Sequence, residues 1–353
     1  MRTDEPMPAD PPFITTIIPT HRRPTLLKRA VRSVLRQTYP HFQVCIYDNA
    51  SGDETAEVVA ELAKQDSRIK YHCHQENIGS LANFDYGMTH VDTPFFSLLS
   101  DDDVLLPGFF KTALNGFEKF PDAIFSAGST IAMTPQGKVF AAPLDLWPRE
   151  GYYSPPDSIL EMLEGQHPTW TAILFRREAI DKVGLLDHAV CGPSDLDYEL
   201  RAAARFPFVI SKSPCAIWLV YPSSYSTLGG FDSQWPGWLK LINKLASDTS
   251  IPTSTRLCAE KKLSARAKRI LFRIGILSIE KKNYSDTYKA ADVLQKYFKI
   301  QLKPFVLLLS AKLSARYAYF HILFIYLLNI KLRHSAWKKS HLQDKYGKLA
   351  QWL

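Results

Sequence analysis

The chain is 353 residues long, with 46% hydrophobic and 22% charged residues and a formal net charge of +8 at pH 7. Those proportions exclude wholesale disorder and leave room for a large core with an appendage. The charge is unevenly placed: residues 240–353 carry 23 Lys and Arg against 6 Asp and Glu, whereas residues 1–239 carry 20 against 29, so an acidic part is joined to a basic one.

Residues 1–12 are acidic and proline-rich with no apolar core, which predicts a disordered leader that is not a secretory signal and hence a cytosolic protein. Phe13 to Ile18 is a β-branched run and predicts the first strand, with Pro19-Thr20-His21-Arg22-Arg23-Pro24 as the loop after it. From Thr25, Leu26, Leu27, Ala30, Val31, Val34 and Leu35 share one helical face and basic residues the other, an amphipathic helix lying on a sheet. Phe42 to Tyr47 predicts a second strand, and Asp48-Asn49-Ala50-Ser51-Gly52-Asp53 its exit loop. Ser51 and Glu54 there have capping-box spacing before the next helix. Strand, helix, strand, helix of these lengths is the pattern of a parallel sheet.

A short strand at Ile69 to Tyr71 precedes Asn77-Ile78-Gly79-Ser80 and a helical stretch through Met88. The apolar run Pro94 to Leu99 then leads into Asp101-Asp102-Asp103, with Val104 to Pro107 turning away. Three adjacent carboxylates repel one another. A hard divalent cation, magnesium or manganese, relieves that repulsion using one or two carboxylates plus substrate phosphates. A solvated turn with helix-capping Asp is the alternative for the motif alone. In a doubly wound sheet, the loops after Ile18, Tyr47, Tyr71 and Leu99 gather at the carboxyl edge, bringing His21, Asp48, Asn77 and the Asp triplet to one crevice.

Further on, Ala123 to Ala142 reads as a hairpin, Leu144 to Pro156 as a loop over the crevice, and Thr169 to Phe175 as a strand opening with Trp170, a core residue or a stacking platform for an acceptor sugar. Asp195 stands at the start of a helix running to about Arg205, with Asp197 two residues on. Each is either a carboxylate that favours a helix N-terminus or, for Asp195, a base able to accept a proton from an attacking hydroxyl. Phe208 to Ile210 and Ala216 to Tyr221 close the sheet.

With these motifs in this order, Phe13 to about Tyr221 resembles the inverting glycosyltransferases of family 2, which have the GT-A fold. The Pro19–Pro24 loop is similar to the family's Pro-Thr-Tyr-Asn-Arg-Pro, with His21 in place of the aromatic. Asp48 to Thr55 is similar to its Asp-Asn-x-Ser-x-Asp-x-Thr, and Asn77-x-Gly79 with Asn83, the Asp triplet, and Ser194-Asp195-x-Asp197 match further patterns. The resemblance implies a Rossmann-like mixed α/β sheet flanked by helices. It also implies a donor site of Pro19, Thr20, His21, Arg23, Asp48, Asn77 and Asp101, and Asp195 as base. Trp170 and Asp197 become candidates for the acceptor side. Counting back from Pro107, Asp102 takes the metal-binding place, Asp101 faces the ribose and Asp103 supports them; a strict Asp-x-Asp reading selects Asp101 and Asp103 instead. The implied cofactor is Mn2+ or Mg2+ and the implied donor a nucleotide-sugar, first among them a UDP-sugar.

The catalytic domain is expected over residues 13–236 and a basic helical region over 237–353. Lys261 to Glu280 and Ser285 to Phe298 predict helices broken at Lys281 to Asn283. Phe305 to Ile330 is strongly apolar, but Lys312 and Arg316 interrupt it, and Tyr317 to Ile330 is too short to span a bilayer. A buried helical pair competes with an interfacial helix whose Lys331, Arg333, Lys338 and Lys339 meet anionic lipid; the second is favoured here. No aromatic-basic motif of known modules supports nucleic acid as a partner. The chain is therefore expected to be a glycosyltransferase extending a glycan or lipid-linked acceptor in cell-surface polysaccharide biosynthesis, peripheral on the cytoplasmic face of the inner membrane. The rival is a non-catalytic nucleotide-sugar-binding or scaffold protein of the same fold.

Overall fold

A computed structural model describes residues 13–164, 167–221, 229–338 and 340–353, with backbone alone over 331–338. The expected leader and the side chains of Lys331, Arg333, Lys338 and Lys339 lie outside the described residues. Strands β1 (Ile14–Thr20), β2 (Phe42–Asp48), β3 (Ile69–Cys73) and β4 (Phe95–Leu98) are parallel, in the order β3-β2-β1-β4. Every residue of β1 is buried, because helices cover both faces. Ile14 and Ile18 point to one face, where α1 (Pro24–Leu35) packs Leu27, Ala30, Val31 and Val34. Ile17 points to the other and meets α3 (Ser80–Thr89). Between them in the chain, α2 (Thr55–Gln65) leads from β2 to β3.

The second half of the sheet is mixed. It contains β5 (Val104–Leu105), β6 (Phe125–Met133), β7 (Val139–Ala141), β8 (Gly151–Tyr153), β9 (Ile173–Arg176) and β10 (Phe208–Leu219), giving ten strands in all. Strand β9 pairs antiparallel with both β4 and β6, joining the halves, and β10 runs parallel to β6. The expected hairpin is present as β6 and β7.

Several elements differ from the sequence reading, each for a tertiary reason. Val104-Leu105 does not simply turn away but pairs with Ala216 and Ile217 of β10. The two runs read as separate closing strands are one, β10, whose pairing with β6 is irregular around Pro214, a residue with no N–H for the ladder. The loop over the crevice contains β8 and a 3-10 turn at Pro143–Leu146. Residues Trp170–Ala172 form a 3-10 turn rather than the start of a strand, held by contacts described below.

After α4 (Phe109–Lys119), α5 (Ser158–Glu164), α6 (Glu178–Val183) and α7 (Ser194–Ala203), six helices among the described residues follow β10: α8 (Phe231–Ser247), α9 (Thr253–Glu280), α10 (Tyr284–Lys296), α11 (Leu302–Arg316), α12 (Ala318–Lys338) and α13 (Ser340–Tyr346). A boundary at 236 would cut α8, whose buried Trp235 and Trp238 share one apolar cluster with Ile17, Phe96 and Ala311. The chain then returns to the sheet. Leu342 and Tyr346 are buried against Val104, Ile131 and Ile217, the Tyr346 hydroxyl donates to Asp145 (2.7 Å), and Val139 N–H donates to Gln343 Oε1 (2.8 Å).

Helix approaches sheet closely at Gly87 of α3, where a Cβ would lie 2.5 Å from Ile17 Cγ2 and 3.0 Å from the Tyr47 ring. Gly87→Ala should therefore lower stability by about 1–3 kcal/mol despite the better helix propensity of alanine. Denaturant unfolding checks this, and an unchanged midpoint would mean that α3 is free to move off the sheet.

Candidate active site

The parallel register sets the donor side of the crevice. Thr20 pairs with Asp48, and Asp48 with Cys73, so the ends of β1, β2 and β3 lie in line. Asp48 is almost wholly buried, and both its oxygens are engaged within the chain. Ser51 donates to Oδ1 through its N–H (3.0 Å) and its hydroxyl, and the Tyr71 hydroxyl donates to Oδ2 (2.6 Å). Asp48 thus shapes its own exit loop. Ser51, occupied in this way and accepting the Arg22 N–H (2.8 Å), does not cap α2; Asp53 takes the Thr55 N–H (3.0 Å) instead. Asn49 Nδ2 donates to Asn77 Oδ1 (2.9 Å), and Asn77 Nδ2 lies 3.3 Å from His21 Nε2. The other ring nitrogen of His21, Nδ1, is buried without a partner among the described residues, a polar atom placed to meet a ligand. Gly79, at φ +88°, holds the turn into α3 that this arrangement requires.

The three aspartates diverge. Asp101, 6% exposed, accepts from the Thr20 hydroxyl (2.8 Å) and from Arg23 Nη1 (3.1 Å). Asp102 accepts from the same Arg23 nitrogen (3.2 Å), and its backbone carbonyl accepts from Arg29 Nη2 (2.8 Å). Asp103 points into the core, where it accepts from the Thr171 hydroxyl (2.6 Å) and the Leu219 N–H (2.9 Å). Burial pushes Asp101 up to about 6, with Arg23 pulling it back, and it raises Asp102 as well. For Asp103, burial and the charge of Asp102 push the carboxyl up to about 8. Both Asp103 oxygens are hydrogen-bonded within the chain.

Among the described residues no three His, Cys, Asp or Glu side chains form a cluster that could hold a metal alone. The donor set nevertheless suits magnesium or manganese bound together with a diphosphate: two hard carboxylates, Asp101 and Asp102, share a single guanidinium nitrogen where a cation's charge is needed.

Asp195 stands at the start of α7. The Thr171–Asp103 bond fixes the Trp170 turn beside the triplet, and Trp170 packs edge-on against Phe84 and Tyr198 (ring centroids 5.9 and 5.8 Å apart). Trp170 Nε1 and the Tyr198 hydroxyl are both buried without partners among the described residues. On the same helix α7, Asp195 has a side chain 39% exposed, reachable from the crevice. Its Oδ2 lies 4.0 Å from His167 Nε2, and His167 Nδ1 lies 2.9 Å from Oε2 of the fully buried Glu199. Arg266 of α9 adds its charge to both carboxylates from over the Trp238 ring (5.8 Å to the centroid). Burial works against a charged His167, but Glu199 and Asp195 outweigh it and raise its pKa. Burial pushes Glu199 up to about 7, His167 opposing. Asp197 does not join this group: it is buried and paired with Arg201 (2.9 Å) and with Lys244 of α8 (2.6 Å). Residues two apart on a helix face different ways, and Asp197 lies buried in its ion pairs.

Glu199, His167 and Arg266 were not singled out from the sequence. The four-residue step from Asp195 to Glu199 is a readable sign of a shared face; nothing local marks the other two.

Comparison with known proteins gives the family of the N-terminal segment. Residues 15–184 match the family model described as Glycosyl transferase family 2, and that segment is a glycosyltransferase domain of this family. Similar relatives include a GalNAc(5)-diNAcBac-PP-undecaprenol beta-1,3-glucosyltransferase of Campylobacter jejuni, 35% identical over 104 residues, which are 29% of this chain and 34% of that one. The chain thus spans about a third of that relative's length. An uncharacterized glycosyltransferase of Rickettsia typhi is 24% identical over 242 residues, covering 66% and 73% of the two chains. In fold, the chain is similar to Staphylococcus aureus TarS 1-349 in complex with UDP-GlcNAc (TM-score 0.64, 11% identity, covering 80% and 81%). It is also similar to the mannosyltransferase PcManGT of Pyrobaculum calidifontis in complex with GDP-Man and Mn2+ (TM-score 0.51, 15% identity, covering 97% and 90%).

Glu199 and His167 give a pH prediction. Both folded-state pKa values lie above the ordinary ones, so the folded state holds extra protons. The stability Glu199 contributes is complete below about pH 4.5 and is lost as pH rises through about 7; that of His167 is lost as pH rises past its raised pKa. Glu199→Gln should flatten the stability curve between about pH 5 and 8, measured by urea unfolding at intervals. A variant curve parallel to the parent's would show that the pair does not titrate on folding.

Proposed function

We propose that the chain transfers a sugar, with inversion, from a nucleotide-sugar donor to a hydroxyl of a glycan or lipid-linked acceptor, assisted by Mn2+ or Mg2+. A UDP-sugar is the favoured donor and cell-surface polysaccharide biosynthesis the setting. The observation that supports the reading is the joint made by Thr171 and Trp170: Thr171 bonds to Asp103, next in the chain to the Asp101–Asp102 pair, and Trp170 packs on Tyr198 of α7, the helix that begins with the exposed Asp195. The complexes of the two structural neighbours, with UDP-GlcNAc and with GDP-Man and Mn2+, support a nucleotide-sugar donor.

In this reading, Thr20, His21 and Asn77 receive the nucleoside, and Asp48 keeps the loop beneath it rigid. Asp101 and Asp102 would hold the cation, which when bound neutralises charge growing on the departing diphosphate. Arg23 moves from the two carboxylates toward the diphosphate as the donor enters. Asp195 takes the proton of the acceptor hydroxyl as its oxygen forms the new bond to the anomeric carbon. The bond to the diphosphate breaks on the far side with its electron pair, so one displacement inverts the centre and no covalent sugar intermediate forms. His167, fixed by Glu199, keeps the Asp195 carboxylate turned toward the crevice, and Trp170 offers an aromatic face beside it.

Two substitutions test the assignment by titration calorimetry and a transfer assay across UDP-, GDP-, dTDP- and CDP-sugars. Asp195→Asn should lower kcat by roughly a hundred- to ten-thousand-fold while nucleotide affinity stays within about twofold. Asp102→Ala should abolish the strengthening of nucleotide binding by manganese. Unchanged transfer in Asp195→Asn would remove the base. Binding of a nucleotide-sugar by the parent protein with no transfer to any glycan would favour the non-catalytic rival.

A further inference from the structure

Residues 293–343 contain nine Lys and Arg and no Asp or Glu. The two helices within this stretch are apolar on both sides. Helix α11 is fixed to α9 by its inner face: Leu307 is fully buried and lies so close to Gly275 that a Cβ there would meet Leu307 Cδ1 at 2.7 Å. On its outer face Leu302 and Phe305 are each more than half exposed. Helix α12 repeats the pattern, with Phe324 turned toward the main core while Tyr319, Ile322, Tyr326 and Leu327, at helical spacing, are also more than half exposed. A helix in water hides one apolar stripe; a second on the opposite side calls for another cover.

We infer that the outer face of α11 and α12 rests in the interface of an anionic lipid bilayer, with the helices lying along the surface rather than across it. Length rules out crossing: the uncharged run from Tyr317 to Ile330 reaches roughly 20 Å at about 1.5 Å per residue, against a hydrocarbon core of about 30 Å. Among the described residues no helix is long and apolar enough to cross a membrane. Charge selects lipid over a second copy of the chain. Pairing two such faces would bring cations against cations with no carboxylate to answer them, whereas acidic headgroups answer all of them. Exposed Lys303, Lys312 and Arg316 lie along the apolar stripe, and tyrosines such as Tyr319 and Tyr326 suit the headgroup level with ring buried and hydroxyl wet. The inference stands on this surface and does not depend on the transfer chemistry. If both hold, an acceptor carried by lipid would be reached from the membrane plane.

The test is sedimentation of the full chain with vesicles of phosphatidylglycerol and phosphatidylcholine, or of phosphatidylcholine alone, in low and high salt, with light scattering of the free protein alongside. Binding to the anionic vesicles is expected to exceed binding to the neutral ones at least tenfold and to fall with salt. The double variant Ile322→Glu/Tyr326→Glu should lose about tenfold or more, with unchanged circular dichroism and nucleotide binding. Should that variant misfold, Lys303→Glu/Lys312→Glu, which reverses two exposed charges, should weaken binding to anionic vesicles specifically. Equal binding to both vesicle types, no binding to either, or a dimer that the substitutions split would each overturn the inference, the last by giving the face to a second copy.

Discussion

Three consecutive carboxylates at the exit of β4 are the constraint on which the rest of the structure depends. Left together in a low-dielectric setting, they would repel strongly. The turn resolves this by sending them three ways, and each direction recruits a different part of the chain. Asp101 takes the hydroxyl at the end of β1. Asp103 ties the end of β10 and the Trp170 turn to the middle of the sheet. Asp102 remains at the crevice, sharing Arg23 with Asp101 while Arg29 holds its backbone. The result is a site whose walls are set by the same bonds that make its carboxylates tolerable, so binding geometry and fold are difficult to alter separately.

A similar division governs α7. Asp195, Asp197 and Glu199 follow one another at steps of two, yet only the first and last share a face. Asp197 is consumed by Arg201 and Lys244, which anchor α7 to α6 and α8, and that anchorage leaves Asp195 free at the helix start. Arg266 reaches the same group from α9, so the helical region contributes to the electrostatics of the crevice and is not a mere appendage.

What was legible in the sequence was local. The strands and helices from Ile14 to Gln65 declare themselves because period-two and 3.6-residue patterns are imposed by burial on each element separately. The carboxyl-edge positions of Thr20, Asp48 and the Asp triplet follow from that pattern. Features made by distant partners were hidden. Thr171 sits in a 3-10 turn because of Asp103, sixty-eight residues away, which no window around Trp170 contains. The single strand β10 reads as two because Pro214 interrupts the local pattern while the partner β6 carries it through. Asp48 reads as a ligand contact from its motif, but its oxygens are taken by Ser51 and by Tyr71, the latter from another strand. His167 and Arg266 gain meaning only once α7 and α9 meet.

The return of α13 to the sheet has a consequence for how the protein is made. Leu342 and Tyr346 cover Val104, Ile131 and Ile217, residues next to the acid triplet and its partner strand. Most of the sheet can form as it emerges from the ribosome, since its strands are complete by Leu219. The edge beside the acid triplet stays bare until synthesis has passed Tyr346, more than a hundred residues later. During that interval the nascent chain presents an apolar seam that α13 later covers.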